Sequence, residues 1–276
     1  MSAYETVVKA LDESSILAKW PEITPLAKTT GLLTSAGSAS SEEAVFEGHD
    51  EEQIRLMEEL CIVLDYNDMP VGAGTKKLCH LMDNINEGLL HRAFSVFLFN
   101  EDGQLLLQQR ADEKITFPNM WTNTCCSHPL CVKSELGPGD FSLLNSAVEG
   151  AKTAAQRKLF HELGIPGGDC PVEKFQFLTR IHYKSASGGE ESKWGEHEVD
   201  YILILQTKND ITIDANYNEV RDYKWVSQDD LKSMFTDKNL VFTPWFKLIC
   251  ETFLFQWWGS LSDLSQFEDK EIHRLL

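Results

Sequence analysis

Five residues of metal-binding type and one thiol stand out in the chain: His80, His91, His128, Glu196 and Glu198, with Cys126 in Asn-Thr-Cys-Cys-Ser-His-Pro (123–129). On an extended strand, side chains two apart share a face. Glu196 and Glu198 therefore point one way and His197 the other. By the same parity Cys126 sides with His128, while Cys125 and Ser127 face away, which selects Cys126 as the reactive thiol. Three imidazoles and two carboxylates suit a borderline divalent cation with more than four ligands, Zn, Mn or Fe before Ca or Mg. Each histidine taken alone is more often a satisfied core or surface residue, and no compact His-x3-His motif joins them, so spacing alone specifies the cluster weakly. A neighbouring imidazole or cation lowers a thiol pKa from about 8.5, which suits Cys126 to nucleophilic or acid/base work. The usual fate of a free cysteine is a small buried hydrophobe.

A second pattern runs from 143 to 165. It resembles the Nudix box, Gly-x5-Glu-x7-Arg-Glu-hydrophobic-x-Glu-Glu-x-Gly-hydrophobic. Glu149, Arg157, Leu159, Glu162, Gly164 and Ile165 fall on its positions, while Leu143, Lys158 and His161 replace a glycine and two glutamates. The frame is present and its acid cluster is depleted. A Nudix-like fold without pyrophosphatase chemistry is expected, with Glu162 left as a ligand for Mg on a diphosphate. Lys76, Arg110 and Lys114 flank the strands, and their cations fit diphosphate oxygens, although an exposed lysine is usually only solvated. Among many aromatics, Trp245 in Phe-Thr-Pro-Trp-Phe (242–246) is the one expected to line a pocket. A tryptophan face stabilises a cation by about 0.5 to 2 kcal/mol.

The elements that must position these residues are short. Cys61 to Asp65 reads as a strand, and Ala93–Phe99 with Leu105–Gln109 flank Asn-Glu-Asp-Gly, a hairpin signal. Residues 145–163 carry helical periodicity and stop at Gly164 and Pro166. Residues 174–183 and 198–206 read as strands, 223–226 as a short strand, 227–234 as a capped helix, and 244–258 as one long aromatic helix, a natural lid. The pattern predicts an α/β sandwich, and the Nudix resemblance implies an α/β/α sandwich with a mixed sheet. Residues 51–276 are expected to form the catalytic domain. Residues 1–50 are expected to be an acidic, flexible extension, with Thr29–Ser41 a linker.

Of 276 residues, 25 are basic and 43 acidic, a net charge of -18, and apolar residues make up 42%, enough to fill a core. Such acidity repels phosphate, so nucleic acid is not an expected partner and any phosphorylated substrate needs a local basic patch or a metal. No apolar run reaches the roughly 18 residues of a membrane helix, and no leader is expected at Met1 to Ala10. Seven cysteines, an odd number with two adjacent, suggest free thiols in a reducing compartment.

Five segments in order, Gly-Ala-Gly-Thr-Lys-Lys-Leu-Cys-His (72–80), Leu-Leu-His-Arg-Ala-Phe-Ser (89–95), 121–129, Trp-Gly-Glu-His-Glu-Val-Asp-Tyr (194–201) and 242–246, closely resemble type I isopentenyl-diphosphate isomerases in their fungal form. The resemblance covers residue 50 to the C-terminus. It implies a Nudix-related fold and interconversion of isopentenyl and dimethylallyl diphosphates, for isoprenoid, sterol and other lipid synthesis in the cytoplasm. It implies metal binding by His80, His91, His128, Glu196 and Glu198, with Zn the native ion and Mn or Mg alternatives, and a second Mg held with the diphosphate by Glu162. Catalysis falls to Cys126, Glu198 and Tyr183, and substrate binding to Lys76, Arg110, Lys114 and Trp245. A small prenyl diphosphate would be the partner, with no membrane insertion and a monomer favoured. An unactivated alkene is a very weak base, so one group must give a proton and another take it. Glu198, with Tyr183, is expected to give it and Cys126 to take it. The rival readings are a Nudix hydrolase and a binding protein with a structural Zn.

Overall fold

The computed structural model describes residues 2–26, 46, 48–189 and 191–276. The chain begins with two short helices, α1 (Ala3–Lys9) and α2 (Glu13–Lys19), and a strand β1 (Thr24–Pro25). Ser2 and Asp12 cap the helices by accepting from backbone N–H groups, which would otherwise lack partners. There follow α3 (Glu51–Leu56), β2 (Leu60–Leu64), β3 (Pro70–Thr75), α4 (Lys76–His80), α5 (Met82–Asn86) and β4 (Leu90–Phe99). Next come β5 (Leu105–Arg110), β6 (Trp121–Thr122), β7 (Cys125–Ser127), α6 (Lys133–Leu136) and α7 (Leu144–Leu163). The last part holds β8 (Gln176–Ala186), β9 (Gly195–Gln206), β10 (Val220–Val226), α8 (Gln228–Thr236), α9 (Pro244–Ile249), a π-helical turn (Cys250–Leu254), α10 (Phe255–Trp258) and β11 (Ile272–Arg274).

Among the described residues the strands form one mixed sheet, ordered β1-β3-β2-β4-β9-β8-β11. β4 and β9 run parallel with His91 opposite Glu198, and β8 is antiparallel to β9 with Tyr183 opposite Glu198. β7 lies along the other edge of β4, with Cys126 opposite Ser95. The expected 93–109 hairpin is present at its turn but short: β4 and β5 pair antiparallel only at Phe99 and Leu105, and β5 then pairs with β10 and β6. β11, which the sequence reading left out, runs parallel to β8.

Each face of the sheet has its own core. α7 covers one face, where Ala151, Ala154, Ala155 and Leu159 pack against Phe94, Val96, Val199 and Leu203. Gly164 ends α7 at φ +64, where an added Cβ would lie 2.3 Å from the Asp214 carbonyl oxygen; only glycine takes that turn without strain. On the opposite face, Trp245, Phe246, Ile249, Leu254 and Trp257 pack on Phe97, Ile181 and Ile202. Each such side chain contributes about 1.5–3 kcal/mol relative to exposure. The 244–258 segment packs against the sheet as a wall, and a π turn interrupts it.

The expectation of a flexible extension is corrected over 2–26. Val8, Ile16, Trp20 and Ile23 are buried, and Thr24 and Pro25 pair with Ala73 and Gly72. The period of apolar residues there reflects docking. The linker expected at Thr29–Ser41 lies outside the described residues. None of the seven cysteines is in a disulfide. Among the described residues no helix is long and apolar enough to cross a membrane.

Candidate active site

β9 carries Glu196 and Glu198 on one face, as the pleat predicts. β4 supplies His91, the end of α4 supplies His80, and the residue after β7 supplies His128. One donor atom from each of the five lies within 4.8 Å of every other. His80 Nε2 is 2.7 Å from Glu196 Oε2, His91 Nε2 is 3.3 Å from Glu198 Oε1, and His128 Nε2 is 2.7 Å from Glu198 Oε1. His80 Nδ1 sits 2.6 Å from the Lys76 carbonyl. That bond holds the ring's N–H and turns the Nε2 lone pair toward the cluster.

His128 Nε2 and Glu198 Oε1 share a hydrogen bond, but the other converging atoms are unpaired. His80 Nε2, both ring nitrogens of His91, and Glu196 Oε2 are buried and have no hydrogen-bond partner. The His80–Glu196 approach is thus a distance without hydrogen-bond geometry. Unpaired buried lone pairs are costly, and a divalent cation among them satisfies several at once, so the donor set fits one. Burial drives His128 well below its usual pKa and lowers His80, leaving both as neutral donors. For His91 burial acts the same way, but Glu198 outweighs it and the pKa rises. Glu198 lies below its ordinary range: burial opposes ionisation, and the nearby His91 ring together with the Tyr183 hydrogen bond overcomes it.

The Tyr183 hydroxyl donates to Glu198 Oε2 at 2.6 Å. Tyr183 and Glu198 face each other across the β8–β9 pair, while Cys126 flanks β4 from its other edge. Burial, then Glu198 and Asp200, push the Cys126 thiol well above its usual value. The chain's own residues thus keep the proton on sulfur and off Glu198. Cys125 faces the opposite core, as parity requires, and its thiol donates to Glu162 Oε2 at 3.6 Å.

One cavity, with about 20 Å³ open to a water-sized sphere, is lined by Lys76, Arg110, Lys114, Thr116, Cys126, Ser127, His128, Glu162, Glu196, Glu198 and Trp245. It unites nearly all the residues singled out from sequence; Tyr183, His80 and His91 stand behind its wall. Trp245 is buried, with Phe117 edge-on at 5.0 Å, Tyr183 at 6.0 Å and the Arg110 guanidinium 5.8 Å from its ring centre. Arg110 donates to the carbonyls of Phe117 at 2.9 Å and Thr116 at 2.7 Å. It braces a loop in which Phe117, a bulky residue, holds φ +49, a conformation that costs energy.

Sequence reasoning missed Glu219 and Asp200, and treated Lys158 only as a departure from the box. Lys158 Nζ lies 3.2 Å from Glu162 Oε1 and 3.8 Å from Glu219 Oε2, and Lys114 Nζ lies 2.5 Å from the same Glu219 oxygen. Burial lowers Lys114 to about 8 despite Glu219. Burial also opposes the charge on Lys158, but Glu162 and Glu219 raise it above normal. Asp200, fully buried, accepts from Ser95 Oγ at 2.8 Å, and burial with Glu198 raises its pKa well above normal. Its pleat spacing from Glu198 was a usable signal; Glu219 had none.

A family model for the NUDIX domain matches residues 89–246. The chain is 72% identical to an isopentenyl-diphosphate delta-isomerase of Candida albicans, over all of this chain and 99% of that protein. It is 61% identical to the enzyme of that name from Schizosaccharomyces pombe, over 82% of this chain and 95% of the other. Against isopentenyl-diphosphate Delta-isomerase 1 of Bos taurus it is 50% identical, over 82% of this chain and 96% of the other. The chain belongs to the isopentenyl-diphosphate delta-isomerase family, built on a NUDIX domain.

Proposed function

We propose that this isomerase shifts the terminal double bond of isopentenyl diphosphate, giving dimethylallyl diphosphate, with Cys126 and Glu198 as the proton-transfer pair. The observation that carries the assignment is the single cavity where both side chains meet Trp245 and a basic wall. Lys76, Arg110 and Lys114 bind the diphosphate. A hydrocarbon chain laid along β4 has Cys126 on one flank and Glu198 on the other.

His80, His91, His128, Glu196 and Glu198 hold a divalent ion, Zn by the chemistry of its ligands, with Mn or Mg as alternatives. When bound, it supplies positive charge that offsets the two carboxylates and favours a thiolate on Cys126. Glu162 would offer its carboxylate to a Mg carried by the diphosphate, in exchange for its present contacts with Lys158 and Gln108. In the forward direction Tyr183 and Glu198 deliver a proton to the terminal carbon, and Cys126 removes one from the carbon beside the diphosphate-bearing one. Trp245 faces the tertiary cation, and the buried aromatic wall keeps water from capturing it. After turnover the sulfur holds the proton and Glu198 is ionised, the loading that the chain's own electrostatics favour. Each further turnover needs a reset by proton exchange. We place the unit, comprising 2–26 and 51–276, as a cytoplasmic monomer supplying isoprenoid and sterol precursors.

Incubation in deuterated water tests this. Recovered prenyl diphosphates should gain deuterium with no phosphate released, and Cys126→Ala should reduce that exchange by at least ~10²-fold. Near wild-type exchange by Cys126→Ala would remove the thiol from the mechanism, and phosphate release would favour a hydrolase.

A further inference from the structure

Behind the metal-binding face, the two ends of the chain meet on a single file of hydrogen bonds. Arg274 Nη1 on β11 is 2.6 Å from His182 Nδ1, and His182 Nε2 is 2.8 Å from His197 Nε2. His197 Nδ1 is 2.7 Å from the Leu89 carbonyl and 3.2 Å from the Tyr4 hydroxyl, which lies 2.5 Å from the Ile85 carbonyl. One arrangement of protons satisfies every link. Arginine can only donate, so His182 Nδ1 accepts and its Nε2 carries the hydrogen. That hydrogen goes to His197 Nε2, which leaves N–H on His197 Nδ1 for the Leu89 carbonyl, with Tyr4 a weaker second acceptor. The Tyr4 hydroxyl then donates to Ile85. Both imidazoles are fixed in one tautomer by their partners.

The file runs beside the segments that present four of the five candidate ligands; the one bearing His128 lies outside it. His197 stands between Glu196 and Glu198. Leu89 is two residues before His91, and Ile85 lies in α5, directly after the helix that ends in His80. α2 reinforces the same place: Ile16, Trp20 and Ile23 pack with Cys79 and Leu89. Trp20 Nε1 donates to Asn84 Oδ1 at 3.1 Å, and Asn84 Nδ2 to the Leu78 carbonyl at 2.8 Å. Gly72 leaves room for this docking, since a Cβ there would lie 2.4 Å from the Thr24 carbonyl oxygen.

We infer that both chain termini are positioning elements of the metal site, with Tyr4 and Arg274 acting through His197 and His182 to hold the segments that present His80, His91, Glu196 and Glu198. The inference rests on those residues binding a cation, and it adds residues that touch neither cation nor substrate. Outer groups of this kind orient ligands, and their loss typically costs 10–100-fold in metal affinity or activity.

The test uses the full chain loaded with Co2+, whose visible bands report ligand geometry. Arg274→Met and Tyr4→Phe are compared with Val8→Ala, which alters a buried residue of α1 outside the file. Arg274→Met should change the bands and speed cobalt loss to a chelator by about tenfold. Tyr4→Phe, which keeps its ring, should do so less, and decides alone if Arg274→Met does not fold. Val8→Ala should lower the melting temperature while bands and loss rate stay those of the wild type. Unchanged bands in Tyr4→Phe and Arg274→Met, or an equal change in Val8→Ala, would overturn the inference. A wild-type protein that took up no cobalt would instead overturn the metal reading beneath it.

Discussion

Two buried clusters of charge share one cavity and reach stability by different routes. Around His80, His91, His128, Glu196 and Glu198, lone pairs outnumber donors and several atoms lack a partner. Around Lys158 every carboxylate oxygen is matched. Glu162 Oε1 faces Lys158, and its Oε2 accepts from Gln108 at 3.0 Å and from Cys125. Glu219 Oε1 accepts from Gln53 at 2.7 Å, and its Oε2 faces Lys114. The first cluster keeps unpaired lone pairs that a cation would satisfy, whereas the second carries its cations on lysine side chains. An ammonium thus stands where the Nudix box has a carboxylate at 158, and it neutralises internally a helix whose frame otherwise invites metal.

The contrast breaks most sharply at the first cluster. His91→Ala removes one of the five proposed ligands. Bound metal by atomic analysis should fall, and turnover should drop by more than ~10²-fold, because changes outside the ligand shell already cost 10–100-fold. Retention of full metal content would show that the unpaired atoms do not mark a cation site.

At the second cluster Lys158→Met leaves Glu162 and Glu219 short of a cation in a buried setting. Breaking a buried pair from one side costs about 3–5 kcal/mol, read as a lower urea midpoint. The same variant should gain affinity for an added divalent ion, and Mn2+ should restore part of the lost stability. A variant as stable as the wild type would mean that Lys158 is not the internal cation of this site.

How far each cluster was legible follows from its geometry. Pleat parity alone separated Cys126 from Cys125 and Glu196 and Glu198 from His197, since alternation is a local property of a strand. The helix 144–163 and its stop at Gly164 were equally local. Assembly of His80 with His91 depends on α4 and α5 folding back on β9, which no spacing encodes; the family resemblance supplied it. Glu219 was invisible because Asn-Tyr-Asn-Glu-Val resembles any polar loop, and only the packing of that loop over α7 buries its carboxylate. The docked N-terminus was misread because amphipathic short helices look alike whether solvated or packed. The 93–109 hairpin forms at its turn but pairs only at Phe99 and Leu105, because β7 claims the edge of β4 that β5 would have used.

The smallest effect separates the lysines within the second cluster. Lys158 is held charged by two carboxylates, whereas burial has brought Lys114 down to about 8. Lys114 is a cation below that pH and neutral above it, so its attraction for a diphosphate should fade as pH passes from 7 to 9. The expected result is a KM for isopentenyl diphosphate that rises several-fold over that range, since a lost charge-assisted contact is worth about 1.5–3 kcal/mol at most. Lys114→Arg, which stays charged throughout, should flatten the rise while leaving Lys158 and the fold's stability unaltered. A KM equally steep in Lys114→Arg would assign the pH dependence to another group and leave both lysines permanently charged.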